Sequence, residues 1–320
     1  MTHVEMTPNG ALRPKENAAR GELHYERVEG ATTATHVFAT YPLKFLHPRG
    51  AVRQGFDTFL TYVLGYGGGL VGGDAIDIEC HVGADATVVL ATQATTKVFK
   101  ADGDGEFALQ SFALTVASGA TLAFLPDPVT CFERAKYRQR QVFHLAADAN
   151  LVFVDWLTSG RKRNFVSTGA VRATRTEVHE HWDFSEYDNS AEIFVGGTLV
   201  LTDRVRLADE EDASLRERMY GTHVLGLLVV LGERVQAISA LLLEMSKRKR
   251  LHNAQELTPQ GRLPSQNGFP GVIASASPLG ANGVLVRFCG ETTEDAMHYV
   301  KTVLSGLRDV VGVTPYQDNR

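Results

Sequence analysis

His179 and His181 are the closest-spaced imidazoles in the 320-residue sequence. On an extended strand, residues i and i+2 share a face, so two rings at this spacing can grip one soft cation. A complete site needs further ligands and supporting hydrogen bonds. The competing reading of His179-Glu180-His181 is a solvated loop. The other candidate ligands are the carboxylates Asp74, Asp77, Glu79, Asp155 and Glu177. Against them, isolated acids usually stay solvated. Asp77 and Glu79 alternate outward on an expected strand, and Asp74 is placed to cap a turn. One enzymatic alternative uses His179, His181 and nearby carboxylates on a β scaffold. The sequence holds no Gly-x-Ser-x-Gly elbow, no His-Glu-x-x-His and no Pro-Cys-x-x-Cys partner for a zinc deaminase.

The chain is organised around Gly65 to Asp74, where five glycines fall between Gly67 and Gly73. A phosphate-binding loop would open a helix whose N-terminal N–H groups hold the anion. Here the glycines lead into Ile76, Ile78, Cys80 and Val82, alternating with Asp77, Glu79 and His81. That is the period of a half-buried strand. A tight β-connection is therefore expected, and no nucleotide site.

Further strands are expected over 22–28, 35–40, 56–64 and 86–92. Pro42 confines the segment after Tyr41 to a sheet edge or strand start. A weak repeat places Ala86, Ala120 and Ala149 at spacings of 34 and 29 residues, each between a small turn and a new apolar strand. Two-strand units of this length imply stacked β-layers. Pro126 and Pro128 mark a rigid crossover, and Arg138 and Arg140 begin a charged strand face. The stretch from His179 to Ile193 reads as an insertion. A buried strand is expected over 219–231. A helix is expected over 234–249, its apolar face formed by Val235, Ile238, Leu241, Leu242 and Met245. A polar loop follows over 255–269, then a hairpin over 272–289 and a final helix from Thr292. The fold class expected is mainly β: a stacked two-layer architecture, β-helix-like or sandwich, with two C-terminal helices.

The net charge of −5 argues against a general nucleic-acid or anionic-membrane binder. No apolar run approaches the roughly 18 residues of a membrane span. Residues 1–20 hold two prolines and no apolar core of a signal peptide, which predicts a loose lead-in and a cytoplasmic location. Three distant cysteines, Cys80, Cys131 and Cys289, describe neither a disulfide framework nor a zinc knuckle. The basic run Lys247 to Arg250 reads as a solvated helix end.

The run Gly-Gly-Gly-Leu-Val-Gly-Gly-Asp (67–74), then a strand, then Ala-Thr-Gln-Ala-Thr-Thr-Lys-Val-Phe (91–99), resembles the signature of the UreD/UreH family of urease accessory proteins. Leu125-Pro126-Asp127-Pro128 and Gly160-Arg161 also fit that family. The run Lys162-Arg163-Asn164-Phe165 departs from it. The motif residues carried over are Gly68, Gly69, Gly72, Gly73, Asp74, Gln93, Thr96, Lys97, Gly160 and Arg161. The resemblance implies one β-rich domain over 21–320, with an αβ portion at about 219–312. It implies a non-enzymatic factor that helps insert nickel into apo-urease, in complex with a UreF-type helical subunit and a UreG-type GTPase. The GTP site would then be the partner's. No tightly bound cofactor is expected, only transient Ni2+. A nickel passage would draw on Asp74, Asp77, Asp155, Glu177, His179 and His181.

Overall fold

Burial follows the alternating sequence from Ala75 to Val82. Ile76, Ile78, Cys80 and Val82 are buried, while Asp77, Glu79 and His81 lie on the other face. The structure is a computed structural model describing residues 18–48, 50–100, 106–168, 173–247 and 268–316. Over 162–168 and 173–178 it describes the backbone path alone. The expected lead-in over 1–17, residues 248–250 of the basic run and the loop over 255–267 lie outside the described residues.

In chain order the strands are β1 (Ala19–Val28), β2 (Ala31–Ala39), β3 (Leu43–Leu46), β4 (Phe59–Gly65), β5 (Ala75–Val82), β6 (Thr87–Thr92) and β7 (Thr96–Val98). Next come β8 (Ala108–Val116), β9 (Thr121–Leu125), β10 (Val129–Cys131), β11 (Lys136–Leu145), β12 (Asn150–Thr158), β13 (Lys162–Thr168), β14 (Ala173–His179), β15 (Glu186–Val195) and β16 (Thr198–Ala208). The remainder holds α1 (Leu215–Arg218), β17 (Val224–Leu231), α2 (Gln236–Lys247), β18 (Val272–Pro278), β19 (Gly283–Gly290), α3 (Thr293–Val303) and α4 (Arg308–Val311).

Two sheets face each other. One has seven strands in the order β16-β15-β11-β8-β5-β1-β2. The main path of the other runs β18-β19-β17-β12-β9-β6-β4-β3, with β10 attached to β12 and β7 to β10. The repeat builds the centre of both. β5, β8 and β11 stack in parallel in the first sheet. After a four-residue connection each, β6, β9 and β12 stack in parallel in the second. The turns bond to one another: Asp85 N donates to Ser118 O at 3.0 Å, and Ser118 Oγ to Asp148 Oδ2 at 2.7 Å. Gly119, at φ +67°, accepts the tight fit, since a Cβ there would stand 2.2 Å from Asp85 Oδ1. The mainly β, stacked two-layer architecture is thus the one expected.

The space between the sheets is filled by side chains such as Leu23, Ile78, Leu114, Leu122, Phe124, Phe143 and Phe153. Each contributes roughly 1.5–3 kcal/mol by leaving water. β12 is buried along its whole length because it has a core on both sides. Its Val152, Val154 and Trp156 join a second cluster with Ile238, Leu242, Tyr299 and Val300, where α2 and α3 cover the outer face of the larger sheet. Segment 43–46 is an edge strand, as Pro42 requires.

Three expectations change. The stretch from His179 to Ile193 is not an insertion. β15 pairs with β11 over ten positions, and Trp182, Phe184, Tyr187, Ala191 and Ile193 are core residues. Polar Asp188 and Asn189 hid its alternation. The strand expected from Met219 starts only at Val224, because Tyr220 and Gly221 take positive φ at the end of α1. Of the expected helical face, Val235 in the 3-10 turn before α2 and Ile238 and Leu242 on α2 are buried, which leaves Leu241 45% exposed just past their edge.

Candidate functional site

The glycine run makes no anion cradle. After Asp74 the chain enters β5 directly. Leu70 lies beside β7, with its N–H donating to Lys97 O and its carbonyl accepting from Phe99 N, each at 2.8 Å. A Cβ on Gly69 would stand 2.5 Å from both Lys97 O and Phe99 Cε2. The glycine at 69 therefore permits the contact between the two sequence motifs. Asp74 closes the loop by accepting from Val71 N at 2.8 Å. That is the turn-capping role, and it occupies one carboxylate oxygen. Gly68 and Gly73 adopt positive φ, with Gly72 beside them in the turn. Gln93 and Lys97 are exposed, and Thr96 begins β7.

A third motif meets the same end of the sheets. Phe99 packs edge-on against Phe132, with centroids 5.2 Å apart. The Arg161 guanidinium sits 4.2 Å from the Phe132 ring centroid. Arg161 Nε donates to Glu180 Oε1 at 2.6 Å, and Glu133 N donates to Glu180 Oε2 at 3.0 Å. Gly160, at φ +142°, is forced by this closure, since a Cβ would fall 2.7 Å from Glu180 O. Trp182 holds φ +62°, rare for a bulky residue, and its N–H donates to Ser159 O at 2.7 Å. Glu180 is 5% exposed, so the solvated-loop reading fails at its middle residue. Sequence reasoning missed Phe132 and Glu180 because their partners lie far away in the chain.

Asp155 points between the sheets. Its Oδ2 accepts from Gln141 Nε2 at 3.0 Å and from Asn189 Nδ2. Burial pushes its carboxyl up to about 6, opposed by those two amide donors. Tyr137, Gln110 and Gln139 continue the polar seam, with Tyr137 Oη 2.7 Å from Gln110 Oε1 and 2.9 Å from Gln139 Oε1. Gln141 Oε1 is buried with no hydrogen-bond partner among the described residues. An unsatisfied amide oxygen beside a carboxylate costs free energy in an otherwise apolar core.

His179 and His181 do come together, with stacked rings whose centroids are 5.4 Å apart. The structure adds His223, whose Nδ1 is 3.1 Å from His181 Nδ1 and 3.0 Å from Ser159 Oγ. Burial, Arg216 and His179 hold the His181 pKa below its usual value. His181, His223 and Arg216 line a cavity of about 250 Å³. Ser159 is 5% exposed, so its hydroxyl is poorly presented to a substrate. Asp77 lies on the outer face of the smaller sheet beside Ser111 Oγ, its carboxyl raised by burial. Glu79 is exposed beside it, and the backbone of Glu177 pairs with Asn164 on β13. The proposed metal residues therefore occupy separate places. Among the described residues no group of three donors is already arranged to hold a metal. No helix there is long and apolar enough to cross a membrane. The Cys80 thiol is pushed up to about 12 by burial, and Cys131 is raised by the same cause, as expected of inert core thiols.

The family model described as UreD urease accessory protein matches residues 17–320. Urease accessory protein D of Arabidopsis thaliana is 35% identical over 314 residues, covering 93% of this chain and 99% of that protein. UreD of Anaeromyxobacter sp. (strain Fw109-5) is 32% identical over 309 residues, covering 96% and 92%. Urease accessory protein 4 of Cryptococcus neoformans is 25% identical over 328 residues, covering 93% and 94%.

Proposed function

The chain belongs to the UreD family of urease accessory proteins, and from that premise we propose that it is a non-catalytic scaffold for placing nickel in apo-urease. It works in the cytoplasm, in a complex with a UreF-type helical subunit and a UreG-type GTPase. The observation that carries the reading is the family match over residues 17–320, because it ties this chain as a whole to urease maturation. Geometry lends support in two places. The motif-bearing loops at 69–74, 96–99 and 160–161 form one braced end, through Leu70, Phe99, Phe132, Arg161 and Glu180. Such an end holds its shape when a partner docks. Inside, Asp155 has a carboxyl pushed up to about 6, so it changes charge near neutral pH. A carboxylate of that kind takes a cation by giving up a proton and returns it by the reverse step. Nickel is cargo in this scheme and has no resident site.

Deleting the gene tests the proposal. Urease polypeptide should accumulate at its normal level but lack nickel and activity. Normal nickel content in that strain would end the proposal.

One observation favours a second reading, an enzyme. Ser159, His223 and His181 are linked by contacts of 3.0 and 3.1 Å. Ester or amide turnover by the isolated chain, lost in both His223→Ala and His181→Ala, would establish it. The burial of Ser159 counts against it.

A further inference from the structure

The chain carries 37 acidic side chains against 32 lysines and arginines. The cavity of about 250 Å³ between the chain leaving β14 and the chain entering β17 reverses that balance. His181, Trp182, Arg216, Gly221, Thr222 and His223 line it, with no carboxylate among them. Arg216, on α1, is exposed and has no ion-pair partner among the described residues, whereas Arg218 on the same helix pairs with Glu210 at 2.8 Å. Asp183 already accepts from the His181 backbone N–H at 3.0 Å. Burial, Arg216 and His179 hold the His181 pKa below its usual value against the pull of Asp183. The net field of these charges at that ring is therefore positive.

Backbone bonds hold the walls in place. Trp182 N donates to Ser159 O at 2.7 Å, Ser159 N to His223 O at 2.8 Å and His223 N to Gly290 O at 2.8 Å. Trp182 Nε1 donates to Thr222 O at 2.8 Å, and Thr222 Oγ1 to Met219 O at 2.6 Å. These groups are engaged within the fold, so recognition of a ligand falls to the two imidazoles and the guanidinium. His181 Nδ1 and His223 Nδ1 are 3.1 Å apart. Two ring nitrogens at that distance share one hydrogen, since two bare lone pairs would repel. A neutral imidazole has one N–H, so the ring that accepts carries its own hydrogen on Nε2. The pair thus keeps a donor for a ligand, next to the N–H fork of Arg216. Size narrows the ligand further. A water molecule takes roughly 30 Å³ of the liquid, so this space admits an ion of a few heavy atoms, while drug-sized ligands need about 300–1,000 Å³.

We propose that this cavity binds one small tetrahedral oxyanion of the phosphate or sulfate class. Arg216 donates to two of its oxygens through its planar fork, and the histidine pair donates to a third. Ser159, 3.0 Å from His223 Nδ1, positions that ring. A dianion matches a positive field in a lining that holds no acid. A carboxylate has half the charge and one oxygen too few for this donor set. The site uses neither Asp155 nor nickel, and it stands apart from the scaffold reading.

The test is calorimetric titration of sodium phosphate into the purified full-length chain, with ionic strength held constant by NaCl so that screening does not change. The wild type should bind one phosphate per chain. Arg216→Gln should weaken binding at least tenfold, and His223→Gln should weaken it as well. Arg206→Gln removes an equal charge from β16 and should leave binding unchanged. Sulfate should compete with phosphate, and acetate at the same concentration should not. No binding by the wild type, equal affinity in wild type and Arg216→Gln, or displacement of phosphate by acetate would each overturn the proposal. If Arg216→Gln proves unfolded by circular dichroism, diethyl pyrocarbonate labelling of the wild type decides the matter. Phosphate should protect His181 and His223 from modification relative to chloride, and equal labelling in the two salts would overturn the proposal.

Discussion

Arg161 Nε lies 2.6 Å from Glu180 Oε1, an ion pair that joins the end of β12 to the chain leaving β14. Glu180 is 5% exposed while the Arg161 side chain is 32% exposed, so the carboxylate depends on the arginine more than the reverse.

Removing the arginine should therefore hurt more than removing the charge of its partner. Arg161→Ala strands a buried carboxylate and takes a cation from the Phe132 ring. We expect a loss of about 1.5–3 kcal/mol in urea unfolding. Glu180→Gln keeps a hydrogen-bonding side chain and should cost less than half of that. Equal losses would mean that the pair is not the anchor of this end.

Gly69 and Gly67 separate steric from conformational demand. Gly69→Ala drives a methyl into Lys97 O and the Phe99 ring, both 2.5 Å away. Gly67→Ala meets open space and only the strain of φ +86°. The first should cost about 1–3 kcal/mol by overpacking and disturb β7. The second should cost about 1–2 kcal/mol and leave β7 intact. Amide exchange at Phe99, whose N–H bonds to Leu70 O, reports the difference: faster exchange in Gly69→Ala alone.

Asp155 gives stability a pH slope of known sign. Its carboxyl is raised from 3.8 to about 6 in the folded state by burial. Between those values the folded chain holds a proton that the unfolded chain has released. Stability must then fall as pH rises from about 4 to about 6, by at most about 3 kcal/mol. Asp155→Asn removes this contribution. The stability difference, variant minus wild type, should grow in the variant's favour from pH 4 to pH 7 in matched denaturant titrations. A difference that is flat with pH would refute the buried, protonatable carboxyl.

Tyr41 and Tyr66 stack at 5.7 Å while 80% and 52% exposed, and Val71, on the glycine loop that follows Tyr66, is 49% exposed. Uncovered aromatic surface promotes association. Tyr41→Ser with Tyr66→Ser should raise the soluble fraction of the chain expressed alone, measured after centrifugation. Co-expression with the UreF-type subunit should raise the wild-type yield as well.

Several features were legible residue by residue. The alternation at 76–82 gave the face of β5, Pro42 gave an edge strand, and the small turns before Ala86, Ala120 and Ala149 gave the stacked coils. These signals are local, since period and turn chemistry act within a few residues. The misread stretches failed for the same reason. In β15 the outward Asp188 is satisfied by Arg138 and Arg204, and the inward Asn189 by Asp155, so both are buried despite their polarity. No window around 188–189 contains those partners.

The candidate site divides along that line. The sequence alone determined the strand periods, the glycine turn without a phosphate-binding helix, and the resemblance carried by its motifs. Tertiary structure alone decided that Leu70, Phe99, Phe132, Arg161 and Glu180 would meet, that Asp155 would face amides inside the sandwich, and that His181 and His223 would line one cavity with Arg216. Those groupings arise from strand order and register between residues tens to more than a hundred positions apart. Hydrogen bonding between stacked coils sets that register, and the spacing of neighbours in the chain does not encode it.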